Sequence, residues 1–73
     1  MSPNIEFSLL CMFVKYENMI LSPEFLYQEA WGQPMFENDN VLRIAMSELR
    51  KKLDGSGDVI TTERGKGYRF EVE

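Results

Sequence analysis

The chain has 73 residues, a formal net charge of −4 at pH 7 and a hydrophobic content of 44%. This length supports one modest hydrophobic core, so a single domain is predicted over residues 1–73, and the composition is unlike that of disordered chains. The longest apolar run, residues 9–14, is far shorter than the ~20 residues that span a bilayer, so no membrane segment is expected. Cys11 is the sole cysteine, which excludes an intrachain disulfide and is typical of a reducing, cytoplasmic compartment.

Two helices are predicted first, over about residues 3–17 and 22–32. Ser2 and Ser22 each precede a proline, and serine is a preferred N-cap while proline suits the first helical position. Gly32 is placed to end the second helix. The helical spacing of apolar residues predicts a buried stripe on the first helix, formed by Phe7, Leu10, Cys11 and Val14 and widened by Leu9, Met12 and Phe13. Residues 19–21 between the helices either pair as a strand or simply cross the core.

A third helix is predicted over about residues 39–53, and a β-hairpin over about residues 58–72. Asn38, Asp39 or Asn40 can cap the helix, and glycines 55 and 57 end it. One buried stripe follows from spacings of four, three and four residues between Leu42, Met46, Leu49 and Leu53. The hairpin turns at residues 64–67, where two glycines permit positive φ. Three helices followed by a hairpin predict an α+β fold.

Catalysis has little support in this sequence. The chain has no histidine, which removes Ser-His and Cys-His dyads and imidazole metal ligands. Cys11 belongs to the predicted apolar stripe and is interpreted as a core residue rather than a nucleophile. The polar run at residues 37–40 lacks the ligand spacing of a calcium loop and is interpreted as a helix cap. No catalytic residue, metal or cofactor is predicted, and the protein is not expected to be an enzyme.

Charge is distributed unevenly, with −5 over residues 1–39 and +1 over residues 40–73. Two basic clusters lie in the second half, one at Arg43, Arg50, Lys51 and Lys52 and the other at Arg64, Lys66 and Arg69. A protein that binds DNA needs a basic face rather than a basic average. The net charge is therefore compatible with DNA binding without establishing it.

The third helix is the best candidate for a binding element. Its buried stripe turns an opposite face outward, formed by Asn40, Arg43, Ser47, Arg50 and Lys51 beside Ile44. A helix fits the major groove, where such side chains reach base edges and phosphates, and an apolar residue can contact a thymine methyl group. A solvated charged face is the alternative, and the helix alone does not decide between the two.

The hairpin tip adds an independent indication. Arg64 and Lys66 lie between glycines, and a basic turn can enter a narrow minor groove, whose potential attracts arginine. A basic helix followed closely by a basic hairpin is a more specific signal than either element.

Residues 49–53 (LRKKL) and 61–70 (TTERGKGYRF) resemble the effector domain of OmpR/PhoB-type response regulators. The upstream segments Glu6-Phe7, Ile20-Leu21-Ser22 and Ala30-Trp31-Gly32 agree with this resemblance. It implies a winged helix-turn-helix fold, with three helices followed by a C-terminal β-hairpin wing. It also implies sequence-specific binding of double-stranded DNA as the output domain of a bacterial two-component transcriptional regulator, within a phosphorelay.

The same resemblance implies roles for individual residues. The side chains expected to face bases in the major groove are Asn40, Arg43, Ile44 and Ser47, with Glu48 on the same face. Those expected to hold phosphates are Trp31, Arg50, Lys51 and Thr62. Arg64, with Lys66 beside it, is expected in the minor groove, while the Tyr68 ring packs under the wing. The loop 33–37, which starts at Gln33 and ends at Glu37, corresponds to a stretch that contacts RNA polymerase in similar proteins.

The sequence departs from the family pattern in two respects. Glu48 stands where the family commonly has a basic residue, and Arg43 where it has an acidic one. Glu48 can accept a hydrogen bond from cytosine N4 but is repelled by a phosphate. Since the sequence starts at a predicted helix cap, we expect it to lack the family's receiver domain and N-terminal sheet, as either a fragment or a minimal protein. A helix surface without that cover would favour self-association as a homodimer. The alternative function is a winged-helix protein-interaction module with little DNA affinity.

Overall fold

A computed structural model of the protein describes residues 5–35, 40–53 and 59–72. Within these ranges the elements follow the predicted order, with one short additional strand. They are α1 (Ile5–Lys15), β1 (Ile20–Leu21), α2 (Pro23–Trp31), α3 (Asn40–Leu53), β2 (Val59–Glu63) and β3 (Gly67–Glu71). The α+β class is confirmed. The predicted signals at Ser2, Asn38, Asp39 and glycines 55 and 57 lie outside the described residues.

Both ends of α2 follow from the side chains that the sequence places there. The Ser22 Oγ accepts a hydrogen bond from the Phe25 N–H at 3.1 Å, and proline occupies the first turn. Gly32 adopts a left-handed conformation with φ of 79°, and its N–H donates to the Gln28 carbonyl at 2.9 Å. The expected serine cap and glycine stop are thereby confirmed.

The predicted buried stripe of α1 is wrong at Phe7, Cys11 and Val14, whereas Leu9 and Phe13, which were expected to widen it, are buried. Ile5, Leu9 and Phe13 are the buried side chains. Phe7 is 66% exposed, and Cys11 is also exposed, so the interpretation of the cysteine as a core residue fails. Apolar residues occur around much of this helix, and spacing alone selects no side. The choice is made by packing against α2, α3 and β3.

The stripe on α3 is confirmed, and it fixes the orientation of the helix. Leu42, Met46 and Leu49 are almost completely buried, with Ala45 beside them, and Leu53 packs partly buried against the same core. Because these residues share one side, the remaining surface of α3 faces outward.

The short run before α2 is a strand, which resolves the alternative left open by the sequence. β1 pairs antiparallel with β3, and β3 also pairs antiparallel with β2, giving the order β1-β3-β2. Tyr68, Phe70 and Ile60 turn toward the core, and the Phe70 ring centroid lies 6.1 Å from that of Phe13. The hairpin therefore projects from the core as a wing beside α3.

Candidate nucleic-acid interface

The face of α3 opposite its buried stripe is open to solvent. Its exposed side chains are Asn40, Arg43, Ile44, Ser47, Glu48, Arg50 and Lys51. Ile44 is 64% exposed, so an apolar side chain stands among the polar and basic ones of this face. The structure thus brings every residue predicted for base contact onto one accessible surface, which we call the α3 face.

Glu48 does not stand alone on the α3 face. The Lys51 Nζ lies 3.5 Å from the Glu48 Oε2, one helical turn away. Both side chains are well exposed, so the pair contributes little to folding stability. The positive charge of Lys51 does reduce the negative potential around Glu48. Glu48 is the departure from the family pattern that most disfavours an anionic ligand.

Arg50 connects α3 to the wing. Its Nε donates to the Ile60 carbonyl at 3.1 Å, and its Nη2 donates to the Thr62 Oγ1 at 2.6 Å. The guanidinium also lies 5.6 Å from the ring centroid of Tyr68, which is buried as expected. Two predicted phosphate ligands, Arg50 and Thr62, are therefore in contact with each other. No sequence pattern predicted this contact, since it joins two elements through side-chain geometry.

The wing tip carries the expected basic groups in accessible positions. Arg64, Gly65 and Lys66 form the turn and are exposed. The Lys66 N–H donates to the Glu63 carbonyl at 2.9 Å, and Gly65 has φ of 77°. The turn therefore presents two cations at the end of the hairpin.

The basic clusters counted from the sequence are smaller in the structure. Arg69 lies on the outer side of the sheet, where its Nη2 is 2.5 Å from the Glu63 Oε2 and its Nε is 3.4 Å from the Glu71 Oε2. The Lys52 Nζ lies 2.5 Å from the Glu6 Oε1 on α1. A hydrogen bond to that carboxylate, together with its charge, raises the pKa of Lys52. Arg69 and Lys52 are thus paired with acids away from the α3 face.

An open groove of about 330 Å³ separates the N-terminal end of α2 from the wing. Arg43 of the α3 face and Lys66 of the wing tip both line it, as do Thr62 and the acidic residues Glu24 and Glu63. The groove joins the two surfaces predicted to contact DNA, and it carries charges of both signs.

Trp31 occupies the C-terminal end of α2. Its ring is partly buried and stacks on that of Tyr27, with centroids 4.5 Å apart and planes 10° apart. In the loop that follows, Gln33 and Pro34 are exposed and Met35 packs against the core. Residues 36 and 37 of the predicted RNA polymerase loop lie outside the described residues.

A second hollow, of about 320 Å³, lies where α1 meets α3. Phe7, Leu10, Leu49 and Leu53 give it a mainly apolar lining, and the Glu6–Lys52 pair forms its polar border. Among residues 5–35, 40–53 and 59–72, no cluster of acidic or cysteine side chains could hold a metal ion. Nor is any helix in that part of the chain long and apolar enough to cross a membrane.

Comparison with known proteins agrees with this geometry. A family model described as "Transcriptional regulatory protein, C terminal" matches residues 2–70. The transcriptional regulatory protein YvcP of Bacillus subtilis is 41% identical over 92% of this chain, which covers 29% of YvcP. The phosphate regulon regulator PhoB of Klebsiella pneumoniae is 36% identical over 92% of this chain and 30% of its own length. The chain therefore spans about 30% of the length of these relatives.

Solved structures share the fold. The DNA-binding domain of CpxR from Escherichia coli superposes with a TM-score of 0.82 at 28% identity, covering 97% of this chain and 72% of that one. The DNA-binding domain of RstA from Klebsiella pneumoniae, solved in complex with the RstA box, gives a TM-score of 0.80 at 28% identity, covering 97% and 73%. The winged-helix prediction is confirmed, and the chain belongs to the family of C-terminal effector domains of OmpR/PhoB-type transcriptional regulators.

Proposed function

We propose that this chain binds double-stranded DNA sequence-specifically, as the cytoplasmic output domain of a bacterial two-component response regulator. The observation that carries the proposal is the α3 face, which exposes polar, basic and apolar side chains beside a wing with a basic tip. Its membership of a family of transcription regulators supports the same function, and the family is not one of enzymes.

In the proposed complex α3 lies in the major groove. Asn40, Arg43 and Ser47 hydrogen-bond to base edges, and Ile44 contacts a thymine methyl group. Glu48 accepts from cytosine N4 while Lys51 balances its charge. This set predicts a site that differs from those of relatives with a basic residue at the position of Glu48.

The remaining proposed contacts hold the backbone and the minor groove. Trp31, Arg50, Lys51 and Thr62 contact phosphates in this proposal. Arg50 and Lys51 belong to the α3 face and Thr62 to the wing, whereas Trp31 lies at the C-terminal end of α2. Arg64 enters the minor groove with Lys66 beside it, where narrow A·T-rich sequence increases the negative potential.

Selection of bound duplexes from a random pool tests binding and specificity together. The selected duplex is then titrated with salt, and log K should fall linearly with log salt by about 0.9 per phosphate neutralised. Lys51→Ala should reduce this slope by about one contact. Lys52→Ala is the matched control, because that neighbouring lysine is paired with Glu6 and should leave the slope unchanged.

Absence of duplex binding by the wild-type chain at low salt would overturn the proposal. An unchanged slope in both Lys51→Ala and Arg64→Ala would overturn the assigned contacts. The protein-interaction alternative draws on the net charge of −4, but the relatives, named as transcriptional regulators, do not favour it. Capture of a protein partner together with a clean duplex null would support it instead.

We propose two protein partners as well. RNA polymerase would contact the loop at residues 33–37, whose residues Gln33 and Pro34 are exposed. A second copy of the chain would cover the outer side of α1, where Phe7 and Val14 are 66% and 54% exposed. Sedimentation over a concentration series tests the homodimer, and Phe7→Ser should shift the chain toward monomer. A wild-type chain that stays monomeric at millimolar concentration excludes it.

A further inference from the structure

Arg50 belongs to the α3 face and also donates a hydrogen bond to the backbone of β2, at the edge of the sheet. β2 is an edge strand of the described three-stranded sheet, so one side of its backbone has no neighbouring strand to pair with. The Arg50 Nε supplies a donor to the Ile60 carbonyl of this strand, and the Nη2 supplies a second to Thr62 two residues on. One guanidinium thereby joins α3 to two positions on the wing, Ile60 and Thr62.

Arginine is the side chain suited to this arrangement. Its guanidinium is a rigid planar fork, which holds two acceptors at a fixed separation and angle, and it also lies near the face of the Tyr68 ring. The two hydrogen bonds use two of its five N–H groups. We assign the phosphate contact proposed above to the other three, for which the described residues show no hydrogen bond.

Resting on the proposed DNA-binding function, we propose that Arg50 is a positioning residue that fixes the wing relative to α3. The base step entered by Arg64 then lies a set number of base pairs from the sequence that α3 reads. One base pair corresponds to a rise of about 3.4 Å and a rotation of roughly 35°. A wing held at two points by a rigid fork tolerates little of that displacement, whereas a wing held by a flexible side chain accommodates more of it.

The test uses a duplex obtained by selection and two derivatives, in which the A·T-rich step read by the wing is moved one base pair toward or away from the α3 sequence. Fluorescence anisotropy gives the affinity of each duplex for the wild type, Arg50→Lys and Lys52→Arg. Arg50→Lys keeps the positive charge but loses the fork. Lys52→Arg is its matched control, because Lys52 is paired with Glu6 on α1 and has no proposed contact with DNA.

Wild type and Lys52→Arg should lose about tenfold in affinity on the shifted duplexes, the order of one mismatched base pair. Arg50→Lys should bind the parent duplex more weakly and lose less than about threefold on the shifted ones. A purely structural role would weaken binding to all three duplexes equally and leave their ratio unchanged. Thermal unfolding confirms that each variant is folded.

A second pair of variants keeps the test decisive if Arg50→Lys does not fold. Thr62→Val removes the acceptor of the Arg50 Nη2, and Thr61→Val makes the same change where the hydroxyl donates to the Arg69 carbonyl instead. Relaxed discrimination in Thr62→Val alone supports the inference. The inference is overturned if Arg50→Lys and Thr62→Val discriminate between parent and shifted duplexes as fully as the wild type does. It is also overturned if the wild type does not discriminate between them, and in both cases the proposed DNA binding stands. Failure of the wild type to bind any duplex removes the proposed function instead.

Discussion

Substitution of Gly67 by alanine should destabilise this domain strongly, because the backbone around Gly67 has no room for a side chain. Gly67 has φ of 152° and is buried at the start of β3. A Cβ atom there would lie 2.7 Å from the carbonyl carbon of Leu21 and 3.0 Å from the Ser22 Cα, and closer still to the Leu21 carbonyl oxygen. All three atoms belong to the backbone, so no side-chain rotation relieves the overlap.

The cost has two parts. Backbone strain at a non-glycine residue in such a conformation is about 1–3 kcal/mol. Moving β1 away also exposes Leu21, which is only 5% exposed, and losing the burial of a leucine side chain costs about 1.5–3 kcal/mol. A domain of this size has a free energy of unfolding of roughly 4–11 kcal/mol. Gly67→Ala should therefore remove about half of it or more.

Gly65→Ala is the matched control, two residues away in the same turn. Gly65 has φ of 77°, yet a Cβ atom there meets nothing within 4 Å. Gly65→Ala should therefore lower the free energy of unfolding by only about 1–2 kcal/mol, the penalty for a non-glycine residue in the left-handed conformation. Urea unfolding followed by circular dichroism measures both variants. Equal destabilisation by the two would refute the reasoning, since it would mean that β1 does not approach Gly67 closely.

Three further outcomes are expected. Phe13→Ala should destabilise the fold by about 3–5 kcal/mol, because Phe13 is fully buried. Phe7→Ala should change the free energy of unfolding by no more than about 0.5 kcal/mol, because Phe7 is exposed. The same urea assay compares the two variants, and similar losses would contradict the buried side of α1. The Cys11 thiol is exposed and should react completely with a thiol reagent in the native protein, whereas reaction only after denaturant is added would count against this placement. Because Glu6 raises the pKa of Lys52 above 10.5, the Glu6–Lys52 pair should stabilise the fold below that pH and lose its contribution as the pH rises through the raised value. In that pH range the urea midpoint should fall more steeply for the wild type than for Lys52→Met. Parallel curves would speak against the pair.

Sequence patterns predicted α3 and the wing well because each had one dominant signal. Most apolar residues of α3 lie on one side, with Val41 and Ile44 as the exposed exceptions, so their spacing predicted both the helix and its orientation. In the hairpin, β-branched residues in one strand and alternation in the other agreed with a turn that contains two glycines. Where local propensity and periodicity point the same way, tertiary packing has little left to decide.

The side of α1 that is buried was not predictable in the same way. Phe7, Leu10, Cys11 and Val14 satisfy helical spacing as well as Ile5, Leu9 and Phe13 do. The second set is buried because α2, α3 and the sheet pack against that side. A periodicity argument contains no information about neighbouring elements, so a helix that is apolar on several sides leaves its orientation open.

Charge counting failed at two basic residues for a related reason. Lys52 and Arg69 belong to basic clusters in the sequence, yet both are paired with carboxylates that only folding brings near them. Glu6 reaches Lys52 from another helix, and Glu63 reaches Arg69 from the neighbouring strand. Sequence distance therefore says little about whether a cation remains available to an anionic ligand.

These pairings change what a net charge of −4 implies for DNA binding. Glu6, Glu63 and Glu71 pair with Lys52 and Arg69, which lie away from the α3 face. Arg43 and Lys66 line the groove beside the wing, and Arg64 is exposed at its tip. The field that a duplex meets is set by those groups and the acids beside them, not by the total. An acidic domain can thus keep a basic binding surface while its remaining charge repels DNA from every other orientation. In the proposed complex such an arrangement should weaken non-specific binding more than specific binding, since only the specific complex would place Arg43 on base edges and Arg64 and Lys66 in the minor groove at the same time.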